Sequence, residues 1–213
     1  QSAPRVPIAV VDPDHCNGCR RCFDDCPYAA VTMVPHPNRR IARQMAQVNA
    51  DLCASCGICV GACPPSMPFR GARGAAALVT GIDMPSAPLG ALRRNLQQGL
   101  AALGAEPKIV VFGCDRGARV QALAAPDVAA FSLMCSGMLP PSFVEYALRD
   151  GAAAVLVSGC REGGCEFRLG QRWTAQRLTG AREPQLRASV PRERVVAVWA
   201  DAGDDSALYA ALA

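Results

Sequence analysis

Four short, nearly continuous apolar runs punctuate the second half of the chain, at residues 108–113, 128–133, 153–158 and 194–200. Between them lie candidate helices at about 116–125, 141–150, 165–180 and 204–212. A strand that is apolar on both faces must be covered on both, and strands that alternate with helices pair in parallel. The pattern predicts an α/β domain with an open parallel sheet over residues 107–213. Ahead of it Leu89, Leu92, Leu96, Leu100 and Leu103 fall on one stripe, which predicts a packing helix over 89–103. Residues 71–106 hold no cysteine and open on Gly71-Ala72-Arg73-Gly74, so they read as a flexible linker carrying that helix. Residues 1–70 differ again, with many prolines, both histidines and eight of the 12 cysteines, and read as a separate N-terminal domain.

Composition narrows the function classes. The chain has 213 residues and is 51% hydrophobic, enough for one large domain or two small ones. Lys108 is the only lysine among 22 basic residues, and the arginines are scattered, which argues against nucleic-acid binding. The longest apolar stretch, from Gly74 to Ile82, is far short of the roughly 20 residues of a membrane-spanning helix. A start at Gln1 rather than Met suggests a trimmed N-terminus. Cysteines in tight C-x-x-C runs suit a reducing compartment, so a cytoplasmic-side location is expected, including the cytoplasmic face of a membrane complex.

The strongest chemical signal is an internal repeat. Cys16-x-x-Cys19-x-x-Cys22-x-x-x-Cys26-Pro27 recurs as Cys53-x-x-Cys56-x-x-Cys59-x-x-x-Cys63-Pro64, each copy led by an Asp, Asp14 or Asp51. Iron in a cubane wants soft thiolate ligands, and two-residue gaps let three consecutive thiolates wrap three corners of one cube. The fourth cysteine, after a three-residue gap and before proline, serves the other cube. One [4Fe–4S] cluster then takes Cys16, Cys19, Cys22 and Cys63, and its partner takes Cys53, Cys56, Cys59 and Cys26. Zinc ribbons use two C-x-x-C pairs rather than two runs of four. Gly18 and Gly57 are expected to bring backbone N–H groups towards the clusters. Arg20 and Arg21 lie beside ligands or on plain surface, His15 packs or meets solvent, and His36 reads as a loop residue.

Over residues 6–70 these runs resemble the bacterial two-cluster ferredoxins. The resemblance implies an α+β ferredoxin-like βαββαβ domain with pseudo-symmetric, low-potential clusters. Pro64-Pro65-Ser66-Met67-Pro68-Phe69 replaces the usual helix-forming continuation, so the chain is expected to leave this domain early.

The last four cysteines fall at strand ends. Cys114 follows Gly113 and the first expected strand, Cys135 follows the second, Cys160 follows Gly159 and the third, and Cys165 opens the next helix. In a parallel sheet all carboxyl ends share one edge, so these thiols can converge from up to 51 positions apart. Such a set fits a [2Fe–2S] cluster, a structural zinc or unliganded core cysteines. Flanking glycines, including Gly113, Gly159, Gly163 and Gly164, suggest close backbone approach to a bound group.

Residues 107–201 resemble the iron–sulfur (delta) subunit family of methyl-viologen-reducing hydrogenases through Phe112-Gly113-Cys114, Met134-Cys135-Ser136-Gly137 and Gly159-Cys160-Arg161-Glu162-Gly163-Gly164-Cys165. The resemblance implies a [2Fe–2S] cluster and a bridge between larger redox subunits. Many members carry a second cysteine where Gly117 stands here, so no cysteine is spare. Three oxidised clusters would add a charge of about −6 to the formal +4. No acid–base or nucleophile constellation and no flavin or nicotinamide fingerprint is present. The expectation is a non-catalytic electron-transfer subunit working between a heterodisulfide-reductase-like flavoprotein, a hydrogenase or a quinone-reactive membrane cytochrome. A ferredoxin fused to a zinc-stabilised interaction module, or a free-standing soluble ferredoxin, are the alternatives.

Overall fold

A computed structural model describes residues 7–69 and 78–212. Gln1 and the Gly71–Gly74 linker start lie outside the described residues. The N-terminal half runs β1 (Val10–Val11), α1 (Arg21–Asp25), β2 (Val31–Pro35), β3 (Gln44–Val48), α2 (Ile58–Gly61) and β4 (Ile82–Asp83). β2 and β3 form an antiparallel hairpin from Val31↔Val48 to Pro35↔Gln44, and β1 pairs antiparallel with β4 through Val10↔Asp83 and Val11↔Ile82. The last strand of this half therefore lies beyond residue 70, where the proline-rich segment was expected to leave the domain. Asp12 N–H donates to the Gly81 carbonyl at 3.1 Å, which fastens the returning chain beside the first cysteine run.

The repeat is visible in the backbone. Gly18 and Ser55 stand two residues into their runs with φ of 68° and 56°, and Arg20 and Gly57 stand four residues in with φ of 69° and 75°. Both copies thus need left-handed residues at the same two places, and glycine supplies only one of them in each. A left-handed Ser or Arg is uncommon and mildly unfavourable. Left-handed residues interspersed in a turn aim successive N–H groups into one concavity, which suits an anionic group.

After β4, α3 (Leu89–Ala102) begins where the Asp83 carboxylate accepts the Leu89 N–H at 3.2 Å. Leu89, Leu92, Leu96 and Leu100 of the expected stripe are buried. Each contributes about 1.5–3 kcal/mol on that account. The remaining elements are β5 (Ile109–Cys114), β6 (Val128–Leu133), α4 (Pro141–Arg149), β7 (Ala154–Gly159), α5 (Gly170–Thr179), β8 (Val195–Trp199) and α6 (Asp205–Leu212). The four strands are all parallel, in the order β6-β5-β7-β8. Side chains alternate between faces as a pleat requires. Val110 and Phe112 join a core shared with α3, α4 and the N-terminal half, while Val111 faces Val120, Leu123 and Leu208.

Two expected helices differ. The 116–125 segment yields only a 3-10 turn at Val120–Leu123. At its start the Ala118 N–H donates to the Ala200 carbonyl and the Arg119 N–H to the Asp205 carboxylate, and Ala125 already pairs with Val128. The 165–180 helix starts at Gly170, because Arg168 with φ 66° turns the chain just before it. Among the described residues no helix is long and apolar enough to cross a membrane.

The two halves share more than apolar packing. Asp25, 2% exposed, is ion-paired with Arg177 and Arg182 of the C-terminal half. Arg177 also donates to the Gly137 carbonyl at 2.9 Å, Trp173 Nε1 donates to the Asp25 carbonyl at 3.2 Å, and Arg182 stacks over the Trp173 ring at 3.4 Å.

Candidate metal centres

The eight N-terminal cysteines divide between two cavities. Cys16, Cys19, Cys22 and Cys63 line one, with Gly18, Arg20, Met33, Ala46 and Gly81. Cys26, Cys53, Cys56 and Cys59 line the other, with Tyr28, Val31, Gly57 and Ile58. Three cysteines of one run thus meet the last cysteine of the other. α1 and α2 pack together and carry Cys22 and Cys59 on facing turns, so each run ends beside its neighbour's cavity.

The chemistry of these thiols favours a soft, positively charged core. Burial pushes Cys22 up to about 12, helped by the neighbouring Cys63, Cys19 and Cys16. Cys56 is raised by burial to about 11, and Cys59 is raised well up by burial and by Cys56, Cys22 and Cys53. Without metal these groups stay protonated, and metal binding would release their protons. The described residues form no group of three or more His, Cys, Asp or Glu side chains that could hold a lone metal ion. A cubane takes one thiolate per iron and therefore needs its ligands further apart. Four thiols around an otherwise apolar cavity, with backbone turned inward, fit an iron–sulfur cluster.

The four remaining cysteines converge from across the C-terminal half. Cys114 ends β5, Cys160 directly follows β7, and these adjacent strands mark the point where the strand order reverses. Ligands of open α/β sheets sit at such switch points. Cys135 comes from the loop after β6 and Cys165 from the loop before α5. Hydrogen bonding to the Cys135 thiol holds Cys114 down at about 6, with the Arg116 N–H and Cys160 assisting. Cys165 is likewise held at about 5 by Cys135, then by the N–H groups of Gln171, Phe167 and Gly170 at the start of α5. Cys135, 1% exposed, is pushed up by serving as donor to both Cys114 and Cys165. Burial raises Cys160 to about 11. The four thiols form a chain, Cys160 to Cys114 to Cys135 to Cys165.

A Cβ at Gly113 would meet the Val120 side chain at 2.2 Å, and one at Gly159 would meet Ser136 Oγ at 2.7 Å, so both glycines make room for neighbouring side chains. Gly163 faces open space, and a Cβ at Gly164 would meet the Arg161 side chain. Gly18 and Gly57 line the two cavities, but their missing Cβ atoms accommodate the Gln44 carbonyl and the Met138 side chain respectively. The described glycines pressed against cysteine sulfur include Gly170, whose Cβ would lie 2.1 Å from Cys135 Sγ, and Gly81, at 3.1 Å from Cys63 Sγ. Neither lies in a cysteine motif, so no sequence signal marked them.

The histidines stay out of the sites. His15 Nδ1 bonds Asp12 Oδ2 at 2.7 Å, and buried His36 bridges the Pro13 carbonyl and the Asn38 N–H. Arg20 stacks over Phe23 and Arg21 pairs with Glu183 at 3.5 Å.

The second and third thiol groups adjoin. Cys56, Ile58 and Cys135 belong to one apolar cluster, flanked by Tyr28, Cys165, Phe167 and Trp173. The Tyr28 phenol is pushed up by burial and by Cys56, Cys165 and Cys135, against the opposing Arg168 guanidinium that stacks on its ring. A 3-10 turn at Ser136–Met138, next to Cys135, seats against α2 so closely that a Cβ at Gly61 would lie 2.1 Å from the Gly137 carbonyl oxygen.

Cysteine-lined cavities joined in this way define an iron–sulfur protein. Residues 15–67 match the family described as a 4Fe-4S dicluster domain, and residues 109–213 match the methyl-viologen-reducing hydrogenase delta subunit. The vhc iron-sulfur subunit of the F420-non-reducing hydrogenase of Methanococcus voltae is 30% identical over 107 residues, 46% of this chain and 74% of the relative. The corresponding F420-non-reducing hydrogenase iron-sulfur subunit of Archaeoglobus profundus is 28% identical over 102 residues, 44% of this chain and 74% of the relative. The chain belongs to this family of hydrogenase iron–sulfur subunits, with a dicluster domain preceding the family region.

Proposed function

We propose that the chain is a non-catalytic electron relay in which two [4Fe–4S] clusters and one [2Fe–2S] cluster stand in a row. When bound, such clusters accept and release single electrons. Cys16, Cys19, Cys22 and Cys63 hold the first, Cys26, Cys53, Cys56 and Cys59 the second, and Cys114, Cys135, Cys160 and Cys165 the third. The observation that carries the reading is the apolar contact of Cys56 and Ile58 with Cys135, which sets the second and third thiol groups side by side. The influence of Cys22 on the Cys59 thiol brings the first group beside the second. The strand and helix order of the N-terminal half, β1 to β4 with α1 and α2, supports a ferredoxin-like βαββαβ reading of that half.

Around this row the chain excludes water and fixes its two halves. Ile58, Phe167 and Trp173 dry the passage, and Asp25 with Arg177 and Arg182 locks it from one side. Relatives named as hydrogenase subunits support partners that are themselves redox subunits. The proposed partners are a hydrogenase, a heterodisulfide-reductase-like flavoprotein or a membrane cytochrome, on the cytoplasmic side.

Metal analysis and EPR of the anaerobically reconstituted chain test the reading. It requires about ten irons and no zinc, with coupled cubane signals plus a distinct [2Fe–2S] signal. About eight irons with one zinc would remove the third redox centre and leave a dicluster protein with a structural metal.

A further inference from the structure

The two copies of the cysteine repeat differ three residues after their last cysteine, where one has Ala29 and the other Ser66. Ser66 is fully buried, and its N–H donates to the Cys63 carbonyl at 3.1 Å. Its hydroxyl has no partner of hydrogen-bond geometry among the described residues. Buried hydroxyls without an acceptor are unfavourable and uncommon. Ser66 and Cys63 line one cleft, and the backbone bond from Ser66 to Cys63 keeps the two residues together. A neutral thiol is a weak acceptor, whereas a charged sulfur is a strong one. A cluster-bound sulfur at Cys63 would give the orphan hydroxyl the acceptor it lacks.

The other copy supplies an internal control. Cys26 Sγ accepts the Ala30 N–H at 3.4 Å, and a Cβ at Gly81 would lie 3.1 Å from Cys63 Sγ, so backbone approaches both crossing cysteines. Only the second run places a hydroxyl three residues after its crossing cysteine, because Ala29 offers none.

We propose that Ser66 donates its hydroxyl hydrogen to the Cys63 thiolate of the cluster-loaded chain and so raises the reduction potential of the first centre. The inference rests on the cluster reading above. Reduction adds one electron, and with it one negative charge, to the centre; Ser66 keeps its proton and no bond to it breaks. A donor aimed at ligand sulfur stabilises the more negative state, so the potential rises. Ser66 acts as a positioning residue, tuning the centre through Cys63 rather than exchanging electrons itself. It biases the electron towards the end of the row remote from Cys135.

The test is a redox titration of the reconstituted full chain, followed by EPR, with resonance Raman of the iron–thiolate stretches. With Ser66→Ala, iron content is expected to stay unchanged while one cubane potential falls and the other holds. Ser66→Thr, which retains the hydroxyl, is expected to return that potential towards the original. Unchanged potentials in Ser66→Ala, or an equal shift in both cubanes, overturn the inference. Far fewer than about eight irons in the unmodified chain would instead sink the cluster reading itself, and the inference with it.

Discussion

In the N-terminal half every candidate ligand lies between Cys16 and Cys63, and two left-handed residues per run wrap the backbone around its own cysteines. In the C-terminal half four candidate ligands arrive from the ends of β5, β6 and β7 and from the loop before α5, and the parallel sheet brings them together. The first arrangement is written in local spacing and depends little on the rest of the molecule beyond the crossing cysteine. The second is a product of topology, so it inherits the stability of the whole sheet. The contrast extends to the thiols. In the first half burial keeps Cys22, Cys56, Cys59 and Cys63 protonated, whereas in the second Cys135 feeds hydrogen bonds that hold Cys114 and Cys165 down.

Removing one ligand from each half gives the largest expected effects. On the proposed three-cluster reading, Cys59→Ala should cost about four irons per chain and Cys135→Ala about two, each leaving the other half loaded, with iron analysis and EPR as the measurement. If Cys135→Ala also empties a cubane, the halves are not independent sites.

Thiol reactivity of the metal-free chain sharpens the same contrast. At pH 7 Cys165, held at about 5, is a thiolate and should be alkylated orders of magnitude faster than Cys22, at about 12. The sign is fixed by the depressed value: Cys165 labelling should fade as pH falls through about 5, read by mass spectrometry of peptides. Equal labelling of the two cysteines would erase the electrostatic distinction.

The joint between the halves comes next. Asp25→Ala leaves Arg177, 1% exposed, buried opposite no charge, and should cost about 3–5 kcal/mol in denaturant unfolding of the loaded chain. Gly61→Ala should cost about 1–3 kcal/mol by pushing α2 off the Gly137 carbonyl. In that variant electron exchange between the second and third centres should slow while each keeps its metal. A stable Asp25→Ala chain would mean that the apolar core, not the ion cluster, holds the halves together.

Much of this was legible in residue order, for reasons that differ by region. The cysteine runs announce themselves because their ligands are near neighbours in the chain. The four strands and α3 were readable because apolar runs and a leucine stripe report burial directly. What periodicity could not reveal were contacts between distant segments: Gly170 against Cys135, Asp25 against Arg177, and the return of β4 to β1. The repeat also hid a substitution of roles. Gly18 and Gly57 look equivalent in the sequence, yet each shares its true position with a non-glycine, Ser55 or Arg20, held in the same left-handed conformation.

The pairing of β4 with β1 bears on how this molecule can be taken apart. A fragment cut after the second cysteine run would keep all eight N-terminal cysteines but leave the edge of β1 bare, inviting strand-to-strand aggregation. It would also lose Gly81, whose carbonyl accepts the Asp12 N–H and whose backbone lies against Cys63. The smallest portable unit therefore runs on through α3, whose buried leucines belong as much to the sheet as to the clusters. The N-terminal half is therefore longer than its cysteine runs: it cannot be cut at their end without losing part of its own fold.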